Sequence, residues 1–324
     1  MKGIMIDRAV ATQWLSRYQA GEHEAVWTEM VSLGPNVRSN PYLEPAWLVA
    51  QETMRRARRN IETIVGRLDQ IGYEFWNGRH GPVRPRVNLS SVEALYASAM
   101  KHSPPGQSAV FQQRFGNLLE KAKAMTATAE AMRDVKAPPL SPVASPLDDE
   151  IVFSPPAAKT IALLRKLEKK GLAIPLSLKA WAEVVGDINL SGAHPALCFW
   201  RDSNSSCALA DPLMISLDDL MFQGEQWLDS RGEGDSADEV DVMLGWDAIT
   251  KAELTVADEE IDKGYNLRLP AAAADAMLNN EPHQTTFVGY LRIAFRFGGF
   301  PGWERQATRP EKELRFLSDG LLPI

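Results

Sequence analysis

The chain is poor in the residues that usually carry chemistry. Its 324 residues include two cysteines, Cys198 and Cys207, nine positions apart. That is too few for a disulfide framework and the wrong spacing for a CxxC site, so a reducing, cytoplasmic compartment is expected. Five histidines (His23, His80, His102, His194, His283) form no HExxH and stand beside no CxxC, so no metal is expected. His194 and Cys198 are four apart, but Pro195 intervenes and a strand is expected there, so their side chains need not converge. No GxGxxG follows a strand and no GxxxxGK[ST] occurs, so no nucleotide cofactor is expected. No run of about eighteen apolar residues exists, so no membrane-spanning helix is expected. The opening MKGIMIDRAV has no apolar core of the kind a secretory leader needs. A cysteine nucleophile with His194 or His283, or an Asp202/Asn204/Asp211 carboxylate group, would need convergence in space that no spacing rule supplies.

What is present is an ordinary globular composition, 45% hydrophobic and 24% charged. The length suggests two domains of about 100–200 residues each. Charge is uneven. Residues 1–135 hold 17 Lys+Arg against 13 Asp+Glu, net +4, and the rest hold 18 against 29, net −11. The halves should face differently charged partners, or each other.

Residues 1–135 read as an α-helical bundle. Helices are expected over about 7–19, 22–33, 47–71, 91–101 and 107–134. In the third, Trp47, Met54, Ile61 and Leu68 recur every seven residues, with Ala50, Ala57, Ile64 and Ile71 as the second seam. Residues 77–88, NGRHGPVRPRVN, read as a loop. Six prolines within 136–158 mark a linker, although Ile151-Val152-Phe153 could dock on a domain. Residues 159–324 read as α+β. Helix 159–170 comes first, and strands are expected at 197–200, 213–217, 240–244 and 265–269. A helix after Pro270 should end near Asn279-Asn280, and TTFVGYLRIAFRF should form a last helix stopped by Gly298-Gly299.

The organising stretch is Leu172–Gly192, LAIPLSLKAWAEVVGDINLSG. Pro175 suits a first helical turn. Leu176, Ala180 and Val184 share one face, which Trp181 and Val185 widen. Gly186 is placed to end the helix in a left-handed conformation. Ile188 and Leu190 then alternate with Asn189 and Ser191 as a half-buried strand does. A leucine-faced helix, then Gly171, Ile174, Pro175, Trp181 and Gly186 in this order, resembles the start of the SUKH superfamily, which includes yeast cell-wall synthesis regulators. Ile174 stands for the usual Leu, and Gly186-Asp187 for the usual Asn-Gly. The resemblance spans about 159–192 and implies a mostly antiparallel sheet and a binding module. Many bacterial members are immunity proteins that neutralise toxins. It carries over no catalytic residues. DPLMIS at 211–216, LRLP at 267–270 and residues 285–303 also resemble uncharacterised bacterial two-part proteins.

Three surface candidates follow. The acidic run from Asp229 through Glu233, Asp235, Asp238 and Glu239 to Asp241 could dock a basic toxin, with Glu253, Asp258, Glu259, Glu260 and Asp262 behind it, or it is a solvated loop. Phe300 and Trp303 could anchor a partner, or they pack inside a turn. Arg55, Arg56, Arg58 and Arg59 lie off the seam of the long helix and, with Arg79, His80, Arg84 and Arg86, could contact phosphate, or form Glu52–Arg56 and Arg58–Glu62 ion pairs. The expectation is a cytoplasmic, non-enzymatic protein-binding module, in one version an immunity protein. A nucleic-acid-associated or enzymatic defence component is the alternative.

Overall fold

Helix geometry puts residues seven apart on nearly the same face, and the heptad seam of residues 47–71 forms one continuous helix. The computed structural model describes residues 8–75, 152–201, 207–209, 211–230, 239–246 and 264–324. Three short helices, α1 (Arg8–Ala11), α2 (Trp14–Gln19) and α3 (His23–Ser32), precede a 3-10 turn, Gly34–Arg38, and the 28-residue α4, Leu43–Gln70. Helix α4 begins four residues before Trp47, with Pro45 in its first turn, where a missing N–H costs nothing. Met54, Ala57, Ile61, Ile64 and Leu68 are fully buried. One buried polar residue of α4 is satisfied: Thr53 Oγ1 accepts from the Trp27 indole of α3 (3.0 Å) and donates to the Val49 carbonyl one turn earlier (2.8 Å). The helices expected at 91–101 and 107–134 and the loop at 77–88 lie outside the described residues.

After β1 (Glu74–Phe75), the chain is described again from Val152. Val152 and Phe153 are buried, so the end of the proline-rich stretch docks on the fold. Strand β2 (Phe153–Ser154) leads into α5 (Ala158–Lys169), and α6 (Leu176–Val184) hands over to β3 (Asp187–Asn189). Gly186 makes that turn at φ +94°, and a Cβ there would stand 2.1 Å from the Ser154 carbonyl oxygen. The Trp181 indole, itself fully buried, donates to the Gly186 carbonyl at 2.6 Å and holds the turn from inside. Next come β4 (Gly192–Ala193), β5 (Cys198–Arg201), β6 (Cys207–Leu209), β7 (Met214–Ile215), α7 (Asp218–Ser230), β8 (Val240–Gly245), β9 (Tyr265–Leu269), α8 (Phe287–Arg296), a 3-10 turn at Pro301–Arg305 and α9 (Glu311–Ser318). The sequence pattern gives no expectation of helices α7 and α9.

The fold class is mixed helix and sheet, the strands pairing antiparallel in small groups: β2-β3-β7, β1-β4, β5-β6 and β8-β9. All four expected strands are present. Helix α4 packs against α2, α6 and α9, and buried side chains from residues 8–75 and 152–324 form one cluster.

The helix expected after Pro270 does not form. Its backbone groups are used elsewhere. Ala271 N–H donates to the Ala173 carbonyl, and the Ala273 and Ala274 carbonyls accept from the first N–H groups of α6, Leu176 and Ser177. Asp275, 5% exposed, accepts from Ser177 Oγ (2.7 Å), its neighbour Ala276 N–H (3.0 Å) and Val288 N–H in the first turn of α8 (3.1 Å). Burial pushes its carboxyl above the usual range, against the pull of those donors. One carboxylate thus ties the starts of two helices together, and an alanine-rich helix would undo both connections. Helix α8 itself follows the sequence, with Thr286 as N-cap and Gly298-Gly299 at its end.

Candidate protein-interaction surface

Helix α7 has two unlike faces. Leu220, Gly224 and Trp227 point inward at i, i+4 and i+7. Gly224 permits close packing on α5, since a Cβ there would meet Leu167 Cδ1 at 2.9 Å. Carboxylates fix its start. Asp187 Oδ1 accepts from Leu217 N–H (2.6 Å), and Asp219 Oδ2 accepts from Met243 N–H of β8 (2.7 Å). Burial raises the Asp187 carboxyl above its ordinary value, with the Leu217 N–H opposing. The outer face presents Asp218, Phe222, Glu225, Gln226 and Asp229, all exposed. Phe222 is 57% exposed, the most of any large hydrophobic side chain among the described residues. Helix α7 carries four carboxylates and no Lys or Arg.

The helix opens the most acidic part of the chain. Residues 218–263 hold 15 Asp+Glu and 3 Lys+Arg, net −12. The other 278 residues hold 27 and 32, net +5. The whole negative excess therefore belongs to one stretch of 46 residues containing α7 and β8 and leading into β9. A stretch of chain so charged attracts cationic partners.

The expected site residues divide sharply. Asp229 lies exposed in the last turn of α7. Glu239 and Asp241 are exposed at the start of β8, and both meet Arg268, at 3.5 and 3.0 Å. Glu233, Asp235, Asp238 and the 253–262 carboxylates lie outside the described residues. Phe300 and Trp303 are corrected: they are 0% and 3% exposed. Phe300 lies 5.9 Å from the Tyr73 ring, and Trp303 sits in the 3-10 turn, so neither can anchor a partner. The exposed aromatic of this region is Phe222. Its signal in the sequence was a lone aromatic on the polar side of an otherwise regular amphipathic helix.

The arginines of α4 are also reassigned. Both expected ion pairs are present, Arg56–Glu52 at 3.1 Å and Arg58–Glu62 at 2.9 Å. Arg56 further donates to the Pro323 carbonyl and lies over the Tyr18 ring, and Arg58 donates to the Val184 carbonyl at the end of α6. Arg55 pairs with Glu52. Arg59 is exposed. Two of the four are thus engaged in fastening α4 to its neighbours, while Arg79, His80, Arg84 and Arg86 lie outside the described residues.

Of the polar residues weighed for chemistry, His194, Asp211 and His283 each have their own partners. His194 Nε2 lies 3.1 Å from the Ile71 carbonyl and its Nδ1 accepts from Ala196 N–H. Asp211 accepts from the buried Tyr265 hydroxyl at 2.9 Å. His283 sits between Glu281, which it meets through Nδ1, and Glu304, 2.9 Å from its Nε2. In the backbone register of β5–β6, Cys198 stands opposite Leu209 and Cys207 opposite Arg201, while Asp202 and Asn204 lie outside the described residues. His80 and His102 lie outside the described residues, and among those described no three His, Cys, Asp or Glu are grouped to hold a metal ion. No described helix is long and apolar enough to cross a membrane.

Beside α7, the outward side of β8 and β9 borders an open groove of about 700 Å³. It is lined by Asp241, Asn266, Arg268, Pro270, Met277 and Asn279, among others. No family model, curated protein or solved structure matches the chain.

Proposed function

We propose that this chain is a cytoplasmic, non-enzymatic protein-binding module that docks a basic protein on the outer face of α7, and that it acts as an immunity protein by covering a toxin's working surface. The observation that carries this reading is Phe222, exposed between Asp218, Glu225 and Asp229 at the head of a stretch of net charge −12. An aromatic ring offers anchoring area, and the surrounding carboxylates speed encounter and select the sign of the partner. The resemblance of residues 159–192 to the SUKH superfamily supports the same class of function.

The test is co-expression with proteins encoded beside this chain, followed by co-purification and a toxicity assay. A basic partner should be neutralised, should bind less tightly as salt rises, and should be lost with Phe222→Ser or Glu225→Lys. Phe222→Ser should change folding stability by less than about 0.5 kcal/mol, as for other exposed positions. Complexes that persist in both variants would overturn the assignment of the face. If no neighbour is neutralised and none co-purifies, the immunity version is wrong.

A further inference from the structure

We propose that the groove on β9 holds an extended Lys- or Arg-bearing segment of the basic partner, a reading that rests on the protein-binding function above. Three extended strips run side by side there. Strand β8 pairs with β9 so that Asp241 stands opposite Arg268. On the other side of β9, Asn266 bridges Asn279 through both backbone hydrogen bonds. Along β9, Tyr265, Leu267 and Leu269 point into the core while Asn266 and Arg268 point out. The two-residue period of a strand therefore sets a row of polar groups across the groove: a carboxylate, a guanidinium and two carboxamides.

That set selects a ligand class. Each carboxamide carries a donor and an acceptor, the complement of a peptide main chain whatever its side chains. Neither the Asn266 nor the Asn279 side chain has a hydrogen-bond partner among the described residues, whereas the Asn280 amide is engaged with the Gly264 carbonyl. Met277, 50% exposed at the rim, adds a flexible apolar contact that adapts to different side chains. The volume falls within the ~300–1,000 Å³ of ordinary ligand clefts. Charge decides between cationic and anionic ligands, because two exposed carboxylates, Glu239 and Asp241, meet the single guanidinium of Arg268 and leave the strand pair net negative. Their partner Arg268 is 57% exposed, and an ion pair so open to water is readily exchanged for an incoming lysine or arginine.

The experiment is a titration of the full chain, followed by NMR of the side-chain amides, with a seven-residue alternating Ala/Lys peptide. Controls are the Ala/Glu peptide, a backbone N-methylated Ala/Lys peptide and maltotriose. The Asn266 and Asn279 side-chain amide signals should move with the Ala/Lys peptide and with none of the controls. Asn266→Ala with Asn279→Ala should weaken binding about tenfold, while Arg268→Ala, which frees Asp241, should tighten it about threefold. Equal shifts with the Ala/Glu or N-methylated peptide, shifts with maltotriose instead, no shift at millimolar peptide, or weaker binding by Arg268→Ala would each overturn the proposal. Phe222→Ser should leave the peptide response intact. If the partner still docks on the Phe222→Ser variant while the peptide shifts appear, the function reading alone fails; if docking depends on Phe222 but the peptide gives no shift, the groove alone fails.

Discussion

Replacing Gly186 by alanine should be among the most damaging single-methyl additions to this protein. Two costs combine. At φ +94° an alanine is held in the left-handed region, a strain of about 1–2 kcal/mol. Its Cβ would also lie 2.1 Å from the Ser154 carbonyl oxygen and 2.9 Å from the Pro155 carbonyl carbon. Both are backbone atoms, so relief requires β2 to retreat by about 1 Å to reach ordinary contact distance. That movement strains the Phe153–Ile188 and Ser154–Asp187 pairing. Losing two backbone hydrogen bonds adds about 2 kcal/mol, for a total of about 3–4 kcal/mol. Gly72→Ala is the internal control. Gly72 also has positive φ, +74°, but nothing lies within 4 Å of its added Cβ, so only the conformational cost of about 1–2 kcal/mol applies. Urea unfolding followed by tryptophan fluorescence should show Gly186→Ala lowering the midpoint at least twice as far as Gly72→Ala, with unchanged slope. Equal midpoint shifts would show that close approach of β2 is not what the glycine serves, and the steric account would fail.

Two further outcomes follow from buried polar groups. Asn60, 1% exposed, pairs with the backbone of Leu322 through both its carboxamide atoms, at 2.8 and 2.7 Å. Asn60→Leu should cost about 2–3 kcal/mol and accelerate amide hydrogen exchange in residues 319–324 by about 100-fold; unaltered protection there would show that the clasp does not hold the segment. His23 is held below its ordinary pKa of 6.5 by burial first, then by the positive charges of Arg56 and Arg292. The unfolded chain therefore binds the proton more readily than the folded one, so stability is fully present above pH 6.5 and is lost as pH falls through that value toward the depressed pKa. The urea midpoint should drop between pH 7.5 and 5.5, and His23→Gln should flatten that drop. A variant with the wild-type slope would assign the pH dependence to other groups.

Local pattern carried much of this structure. The heptad seam of α4, the helix-to-strand passage through Gly186, the stop of α8 at Gly298-Gly299 and four further strands, β5, β7, β8 and β9, are readable because periodicity, proline and glycine act within a few residues of themselves. The segment after Pro270 looked helical for the same reason, since alanine favours helix, and it failed because Ala173 and the first turn of α6 claim its backbone groups. Helix α7 and its exposed Phe222 were overlooked because an aromatic residue reads as core until the direction of its helix face is known. Phe300 and Trp303 erred the opposite way: both are buried, Phe300 beside Tyr73 more than 200 residues earlier in the chain. The arginines of α4 looked free because the carbonyls they bind, Val184 and Pro323, lie more than 100 residues away. The sequence by itself settled charge, the period of α4 and the glycine stops after α6 and α8, all properties of neighbouring residues. Only the tertiary structure decided which side chains face water and which backbone groups are already taken, because both depend on what packs against a residue from elsewhere in the chain.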